Sequence, residues 1–513
     1  MFNMPVQSPD SEQVRNAGEA SLSAVEAAES RFPSRAQLIG LLFGYFALHV
    51  VIRTLLSPSA DLDESEQLLL TQKFQWGYGS QPPLYTWIQI EFFKVFDVSI
   101  FSLALFKNLL LFSTSALTYL NAWWITRSHA GGVAAAASLF FMPQVVWDSQ
   151  RDLTHSVLAF TLSVATLFCF LRLRQHRHLL AYVVSGICAG LGLLSKYNYA
   201  LLLAGLLAAA VSMKEFRPVV LNWRMPAALA VMGLICLPHA LWVWEHRELA
   251  FQSASKFDFQ STASWPETAG VGLRNFLMAA LAFLAPLAGI YTFVFWQRGV
   301  PALRFHAEGA RLIARALLII LSVVVILVVG FRAAGYRQRW FQPIFIHAPV
   351  LAIALVHHRL DPRRLRRLLY MAGAAMLAIT IAIPARILLA EKLCRTEQLS
   401  RPYPELARKL DPAAAAVPLI VTDTKLSGGN LRLQLPGKIV TTPDLAEILA
   451  PQQQPCLLVW DTSRSEAPAP NLRAYAKRLG VESLAEHPEL GHVSATFLYH
   501  RSRQLRLGMV LLK

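Results

Sequence analysis

The chain has 513 residues, a formal net charge of +16, 55% hydrophobic residues and only 16% charged ones. Soluble domains carry about 25% charged residues, and a mean hydropathy of +0.41 is too apolar for a water-facing surface. These values exclude a soluble enzyme, a disordered tail and a disulfide scaffold; the basic surplus sits in short loops between apolar runs, so no nucleic-acid partner is expected and a membrane protein remains.

Residues 1–36 open the chain as a polar, Ala/Glu/Ser-rich cytoplasmic segment without the apolar core and cleavage site of a secretory signal. Within it, Glu19–Ser30 could form a surface helix. A bilayer span needs roughly 20 mostly apolar residues. The first runs from Gln37 to Leu56 and is expected to stay as an uncleaved anchor. Others start near Phe101, Gly131, His155, Leu179, Asn198, Met225, Arg274, Ile313, Phe341 and Leu368, giving about 11 spans. Lys196-Tyr197-Asn198 interrupts the fifth and sixth, which predicts a hairpin turning at Lys196; one tilted helix is the alternative.

Basic residues set the orientation. With the N-terminus inside, the inner loops hold Arg172, Arg174, Arg177, Lys214, Arg217 and the cluster Arg363–Arg367. The outer loops are longer and poorer in Lys and Arg.

The first outer loop reads Ala60-Asp61-Leu62-Asp63-Glu64-Ser65-Glu66-Gln67, then Trp76-Gly77-Tyr78-Gly79-Ser80-Gln81-Pro82-Pro83-Leu84-Tyr85. A carboxylate at a partly dry membrane surface raises its pKa or takes a cationic partner, and can serve as a general base toward a sugar or alcohol hydroxyl. The plainer reading is a helix start with Asp61 or Asp63 at its N-cap. Trp76, Tyr78 and Tyr85 favour the first, as a stacking surface for a ring-shaped substrate. Further along lie Arg151-Asp152, Lys196-Tyr197 and Arg337 to Pro343. Each has a structural alternative: a surface ion pair for Asp152, snorkelling for Lys196, interfacial anchoring for Arg337 and Arg339. His155, His239 and His347 are expected to pack by hydrogen bonds, and Trp242, Trp244 and Trp265 to form an interfacial belt.

Beyond about Ala390, Pro, Asp, Gln and Gly rise. Short apolar runs at Val417–Thr422, Ile439–Thr442, Leu457–Trp460 and Ala495–Tyr499 alternate with helical patterns such as Asn471–Leu479. This predicts a small α/β domain over 391–513, outside the membrane, after a membrane domain over 37–390. Gly428-Gly429-Asn430 lacks the spacing of a dinucleotide fingerprint and is expected in a loop or at a helix start. Of five cysteines, Cys169, Cys188 and Cys236 fall in spans; a Cys394–Cys456 disulfide is one hypothesis, and none has metal-ligand spacing.

Asp63-Glu64 after the first span, with the WGY…QPPL segment, resembles the membrane glycosyltransferases of the C fold. It is most similar to the bacterial family-39 enzymes, related to protein O-mannosyltransferases and to the aminoarabinose transferases that modify lipid A. Phe141-Met142-Pro143 with Arg151-Asp152, Ser195-Lys196-Tyr197-Asn198-Tyr199 and Arg339-Trp340-Phe341-Gln342-Pro343 extend the likeness over about residues 37–390. The resemblance implies Asp63 as base, with Glu64 beside it and Asp152 as the acid of the second outer loop. It also implies Gln81, Pro82, Pro83 and Tyr197, with the aromatic residues above, as substrate lining. The family often has Asp-His before the paired prolines, whereas this chain has Ser80-Gln81.

Physical chemistry points the same way. Moving a sugar off a polyprenyl phosphate needs cations on the departing phosphate, for which Lys196, Arg337 and Arg339 lie on the same side as Asp63 and Asp152. The acceptor is expected to be a lipid, glycan or protein, and the reaction a single inverting displacement on the outer face of the inner membrane. A divalent ion on Asp61, Asp63, Glu64 and Asp152 is left open. The rival readings are a secondary transporter and a non-catalytic polyprenyl-lipid-binding subunit. No two-fold hydropathy repeat supports the former; the acidic and basic positions present in every matched motif argue against the latter.

Overall fold

The structure, a computed structural model, describes residues 33–251, 264–296, 305, 307–331, 338–450, 455–463, 465–484 and 486–512. The Glu19–Ser30 helix and Arg337 lie outside the described residues. The helices run α1 Arg35–Leu56, α2 Leu62–Leu70, α3 Leu84–Phe96, α4 Ile100–Thr126, α5 His129–Ser138, α6 His155–Leu173, α7 Leu179–Ser195, α8 Tyr199–Ser212, α9 Met225–Glu245, α10 Trp265–Phe295, α11 Glu308–Phe331, α12 Ala348–Val356 and α13 Pro362–Leu388.

Seven of these are long and apolar enough to cross a membrane: α1, α4, α6, α9, α10, α11 and α13. An eighth span exists if the pair His129–Phe141 and Gln144–Arg151 is counted as one, although it bends by 73°. The bend follows from Pro143, which has no N–H to continue the ladder; a wide π-turn over Gln144–Asp148 follows it. The difference from about 11 lies in broken segments. The Lys196-Tyr197-Asn198 break leaves 17 residues in α7 and 14 in α8, and the stretch after Phe341 is split into a short turn at Gln342–Phe345 and α12. Segment 179–213 is therefore two helices, with Lys196 in extended conformation between them.

The chain then builds a sheet domain from α14 Tyr403–Ala415, β1 Leu419–Thr422, α15 Lys425–Gln434, β2 Ile439–Thr441, β3 Cys456–Asp461, α16 Pro470–Arg478, β4 Leu490–Phe497 and β5 His500–Leu512. The strand order is β2-β1-β3-β5-β4. β1 pairs in parallel with β2 and β3, and β5 pairs antiparallel with β3 and β4. Alternate residues face opposite ways. Leu419, Val421, Leu458 and Trp460 pack on Leu472 and Ala476 of α16. Ile420, Val440, Leu457 and Val459 pack on Tyr403, Leu406 and Leu410 of α14, and this same core takes in Leu69, Leu70 and Tyr78. The segment after α1 thus belongs in part to the core of the sheet domain.

Gly428-Gly429-Asn430 lies inside α15 rather than in a loop. β5, the longest strand, was not expected: Arg501, Arg503 and Arg506 break its apolar pattern, and its first half is largely exposed. Cys394 is exposed and Cys456 buried in β3, and both are free thiols, so the proposed disulfide is absent.

Candidate active site

Helix α2 starts where the sequence demands it. Asp61 is its N-cap and Glu64 completes the capping box, its Oε2 accepting from the Asp61 N–H at 3.1 Å. Glu64 then reaches two buried cations, Arg53 at 2.6 Å and Lys107 at 3.1 Å. Arg53 also donates to the carbonyls of Ser57 and Ser59. Glu64 is 1% exposed; burial raises its pKa, but Arg53 and Lys107 outweigh this and hold it far below the usual carboxylate range. Its place is that of a tie between α1, α2 and α4. Asp61 and the acidic loop therefore are a helix cap, as the plainer reading held, and Asp63 sits on the turn so capped.

Asp63 is joined to Asp152, whose Oδ1 accepts the Asp63 backbone N–H at 2.9 Å. The bend at Pro143 is what delivers Asp152 to this point. Burial first, then Asp152 and Glu66, push the Asp63 carboxyl well above its ordinary range, with Arg339 and Lys107 opposing. Asp152 is raised chiefly by burial. Asp61 is pushed up to about 7 by burial, Asp152 and Glu64.

The cations come from the other two motifs. Lys196 is 6% exposed at the α7–α8 turn. Its Nζ donates to Ser156 Oγ at 2.8 Å and to the Arg339 carbonyl at 2.7 Å. Burial and then the Arg339 charge lower it to about 7, against the pull of Asp63. Asn198 Nδ2 donates to the Trp340 carbonyl, so the two turns are stitched together. The exposed Arg339 guanidinium acts electrostatically on Asp63, Asp152 and Lys196 alike. Four residues distant in sequence, Asp63, Asp152, Lys196 and Arg339, are thereby gathered at one end of the bundle.

Two cavities flank α2. One of about 180 Å³ is lined by Asp61 and Asp152 together with His49, Arg53, Arg151 and Arg386. The other, about 30 Å³, is lined by Tyr78, Gln81, Pro82, His155, Glu66 and Lys425. The remaining expected lining residues are dispersed. Trp76 is half-exposed and packs edge-on against Phe74 and Trp87. Pro83 caps α3, and Tyr85 is fully buried between Phe106 and His155, lining neither cavity. Tyr197 begins a stacked column through His239, Trp242 and His246, with ring centroids 5.9, 5.9 and 4.7 Å apart. Gly77 lies under Trp242, where a Cβ would come within 2.1 Å of the ring. Trp242 is therefore a buried clamp on the loop between α2 and α3 and not part of an interfacial belt. His239 is hydrogen-bonded to Tyr197 and to the Trp76 carbonyl, as packing predicted.

Sequence reasoning passed over Arg53 and Lys107. The signal was available for Lys107, a lone ammonium inside a 27-residue apolar helix, since an intramembrane charge implies a partner. The Asp61, Asp63, Glu64 and Asp152 set does not fit a divalent ion. Glu64 is turned to its two cations, and among the described residues no group of three or more His, Cys, Asp or Glu is arranged to hold a metal.

Comparison with known proteins gives this geometry its context. Residues 80–242 match the family described as dolichyl-phosphate-mannose-protein mannosyltransferase. The chain is 31% identical to the lipopolysaccharide core galacturonosyltransferase RgtB of Rhizobium johnstonii over 477 residues, covering 90% of this chain and 94% of the relative. It is likewise 31% identical to RgtA of the same organism, a lipopolysaccharide core galacturonosyltransferase, over 472 residues, with the same coverage. In three dimensions it is similar to ArnT from Cupriavidus metallidurans bound to undecaprenyl phosphate, with a TM-score of 0.60 at 14% identity over 93% of this chain and 98% of that one. With a shared fold, near-full-length relatives and the Asp-Glu loop in place, the chain belongs to the family-39-like membrane glycosyltransferases of the C fold.

Proposed function

We propose that this enzyme moves an acidic monosaccharide, of the galacturonic acid class that its relatives are named for, from a polyprenyl phosphate to a sugar of the lipopolysaccharide core. In this reading the acceptor hydroxyl attacks C1 while the C1–O bond to phosphate breaks, with inversion. The proton passes to the Asp63 carboxylate. The phosphate leaves with an added negative charge, which Lys196 and Arg339 neutralise, Arg337 joining them by resemblance. Fixed cations at a developing charge lower the barrier because they need no reorganisation. Asp152 holds the turn that carries Asp63.

The observation that supports this reading is the convergence of the Asp63 turn with the joined Lys196 and Arg339 turns, a carboxylate and two cations for opposite ends of one displacement. The outer face of the inner membrane is supported by charge. The Arg-rich start of α13 lies 27 residues from its other end, where the sheet domain begins, a distance of about 40 Å. That arrangement matches an inner basic end and an outer active site, with residues 37–390 as the membrane domain and 391–513 as the outer α/β domain.

The test is transfer by the purified protein in proteoliposomes, supplied with polyprenyl-phosphate galacturonic acid labelled in the sugar and with lipopolysaccharide core. Label covalently attached to the core is the expected result. Accumulation of free labelled sugar inside the vesicles, with no glycosylated product, would contradict it and favour a transporter.

A further inference from the structure

The sheet domain grips the backbone on both sides of the acidic turn. Tyr499 donates to the Leu56 carbonyl at 2.6 Å, Ser59 donates to the Arg401 carbonyl at 2.7 Å, and Gln72 pairs with both polar groups of Val440 at 2.7 and 2.9 Å. The strongest hold is in the middle. Asn430, fully buried in α15, accepts from the Ala60 N–H at 2.8 Å and donates to the Ala60 carbonyl at 3.1 Å. The same two amide hydrogens are shared with Ser65 Oγ at 3.1 Å and the Leu426 carbonyl at 2.9 Å. One side chain thus satisfies both backbone groups of the residue before Asp61, and reaches across to the first turn of α2.

Gly429 makes this possible. A Cβ on Gly429 would lie 2.2 Å from the Ser65 carbonyl oxygen, whereas one on Gly428 would first meet Thr422 Oγ1 at 2.7 Å and then Leu69 at 3.2 Å. Helix α15 can therefore meet α2 backbone to backbone only with glycine at position 429. Two consecutive glycines weaken a ten-residue helix relative to alanine, and Asn is a weak helix former. The sequence accepts these costs where the backbones of α15 and α2 meet, while at the start of α15 Lys425 pairs with Glu66 at 2.6 Å.

We infer that Gly428-Gly429-Asn430 is a positioning device, by which the sheet domain fixes the register of α2 and so sets the Asp63 carboxylate against the acceptor. This rests on Asp63 being the base. Asn430 touches no substrate and acts through Ala60, Ser65 and the Asp63–Asp152 contact.

A displacement of about 1 Å at a reacting group costs on the order of 100-fold in rate. Asn430→Ala is therefore expected to lower kcat about 100-fold, with the KM for the lipid-linked donor changed by less than about threefold. Gly429→Ala should give the same split. Ser65→Ala, which deletes a single bond of the set, should give a smaller loss, again in kcat alone. The experiment measures these variants in the full-length protein, purified in detergent and checked for a single size-exclusion peak, and adds the double variant Asp63→Asn/Asn430→Ala. If Asn430 acts only through Asp63, the double variant turns over no more slowly than Asp63→Asn alone. Multiplied losses, a wild-type kcat in Asn430→Ala, or losses confined to KM would overturn the inference. A wild-type rate for Asp63→Asn by itself would instead overturn the base assignment, so the two failures are separable.

Discussion

Replacing Asp63 by Asn is expected to lower kcat by about 10³-fold, within the usual contribution of a general base. The amide keeps the size of the carboxylate, and the backbone N–H that binds Asp152 is untouched, so the protein should insert and fold normally. What is lost is the ability to accept the acceptor proton. The pH profile should carry the same signature. Asp63, Asp152 and Asp61 are all raised, with Asp61 at about 7, and as close carboxyls they titrate as a set. The base works only when ionised, so kcat/KM should fall toward acid pH, with a limb displaced upward from the ordinary carboxylate range. Lys196 works in the opposite sense. It must be protonated to hold phosphate, and in the free enzyme it is lowered to about 7, so kcat/KM should fall again above neutrality. Lys196→Arg should remove that alkaline limb and leave the acidic one in place, because a guanidinium stays charged throughout.

The second large effect concerns folding. Glu64→Ala would strand Arg53 and Lys107, whose side chains are 8% and 3% exposed, without their shared carboxylate. Removing one member of a buried ion pair typically costs about 3–5 kcal/mol, and here two cations would also repel each other. A marked fall in the thermal unfolding midpoint of the detergent-purified protein is expected. Lys107→Ala should cost less, since it leaves the Arg53–Glu64 pair neutral and intact. Equal midpoints for wild type and Glu64→Ala would show that Glu64 is not the tie between the first helices.

How much of this was legible in the sequence depends on the range of the interaction. Apolar runs gave the helices because a span is a local property of about 20 residues. The Asp61–Glu64 cap is local too, and was readable as a helix start. The short strands β1, β2 and β3 announced themselves as apolar runs between turns. Segments whose conformation depends on distant partners were not legible. Gly428-Gly429-Asn430 carries no motif, and its purpose appears only where it meets Ala60 and Ser65, some 370 residues earlier in the chain. Tyr85 and Trp76 were grouped by composition, yet helix α3 turns the first into the core and leaves the second outside. Glu64 was placed beside Asp63 in chemistry because it is beside it in sequence; successive helical residues point about 100° apart, and that rotation sends one to Arg53 and the other toward Arg339.

In the proposed reaction one end of the bundle holds two separable functions, a cationic seat for the donor phosphate and a carboxylate for the acceptor proton. Equilibrium binding of undecaprenyl phosphate, without sugar or acceptor, to the wild type, Asp63→Asn and Lys196→Ala/Arg339→Ala tests it most directly. Affinity within about threefold of wild type for Asp63→Asn, and weaker by about 30-fold or more for the double variant, is the predicted result. Undiminished binding by Lys196→Ala/Arg339→Ala would contradict it.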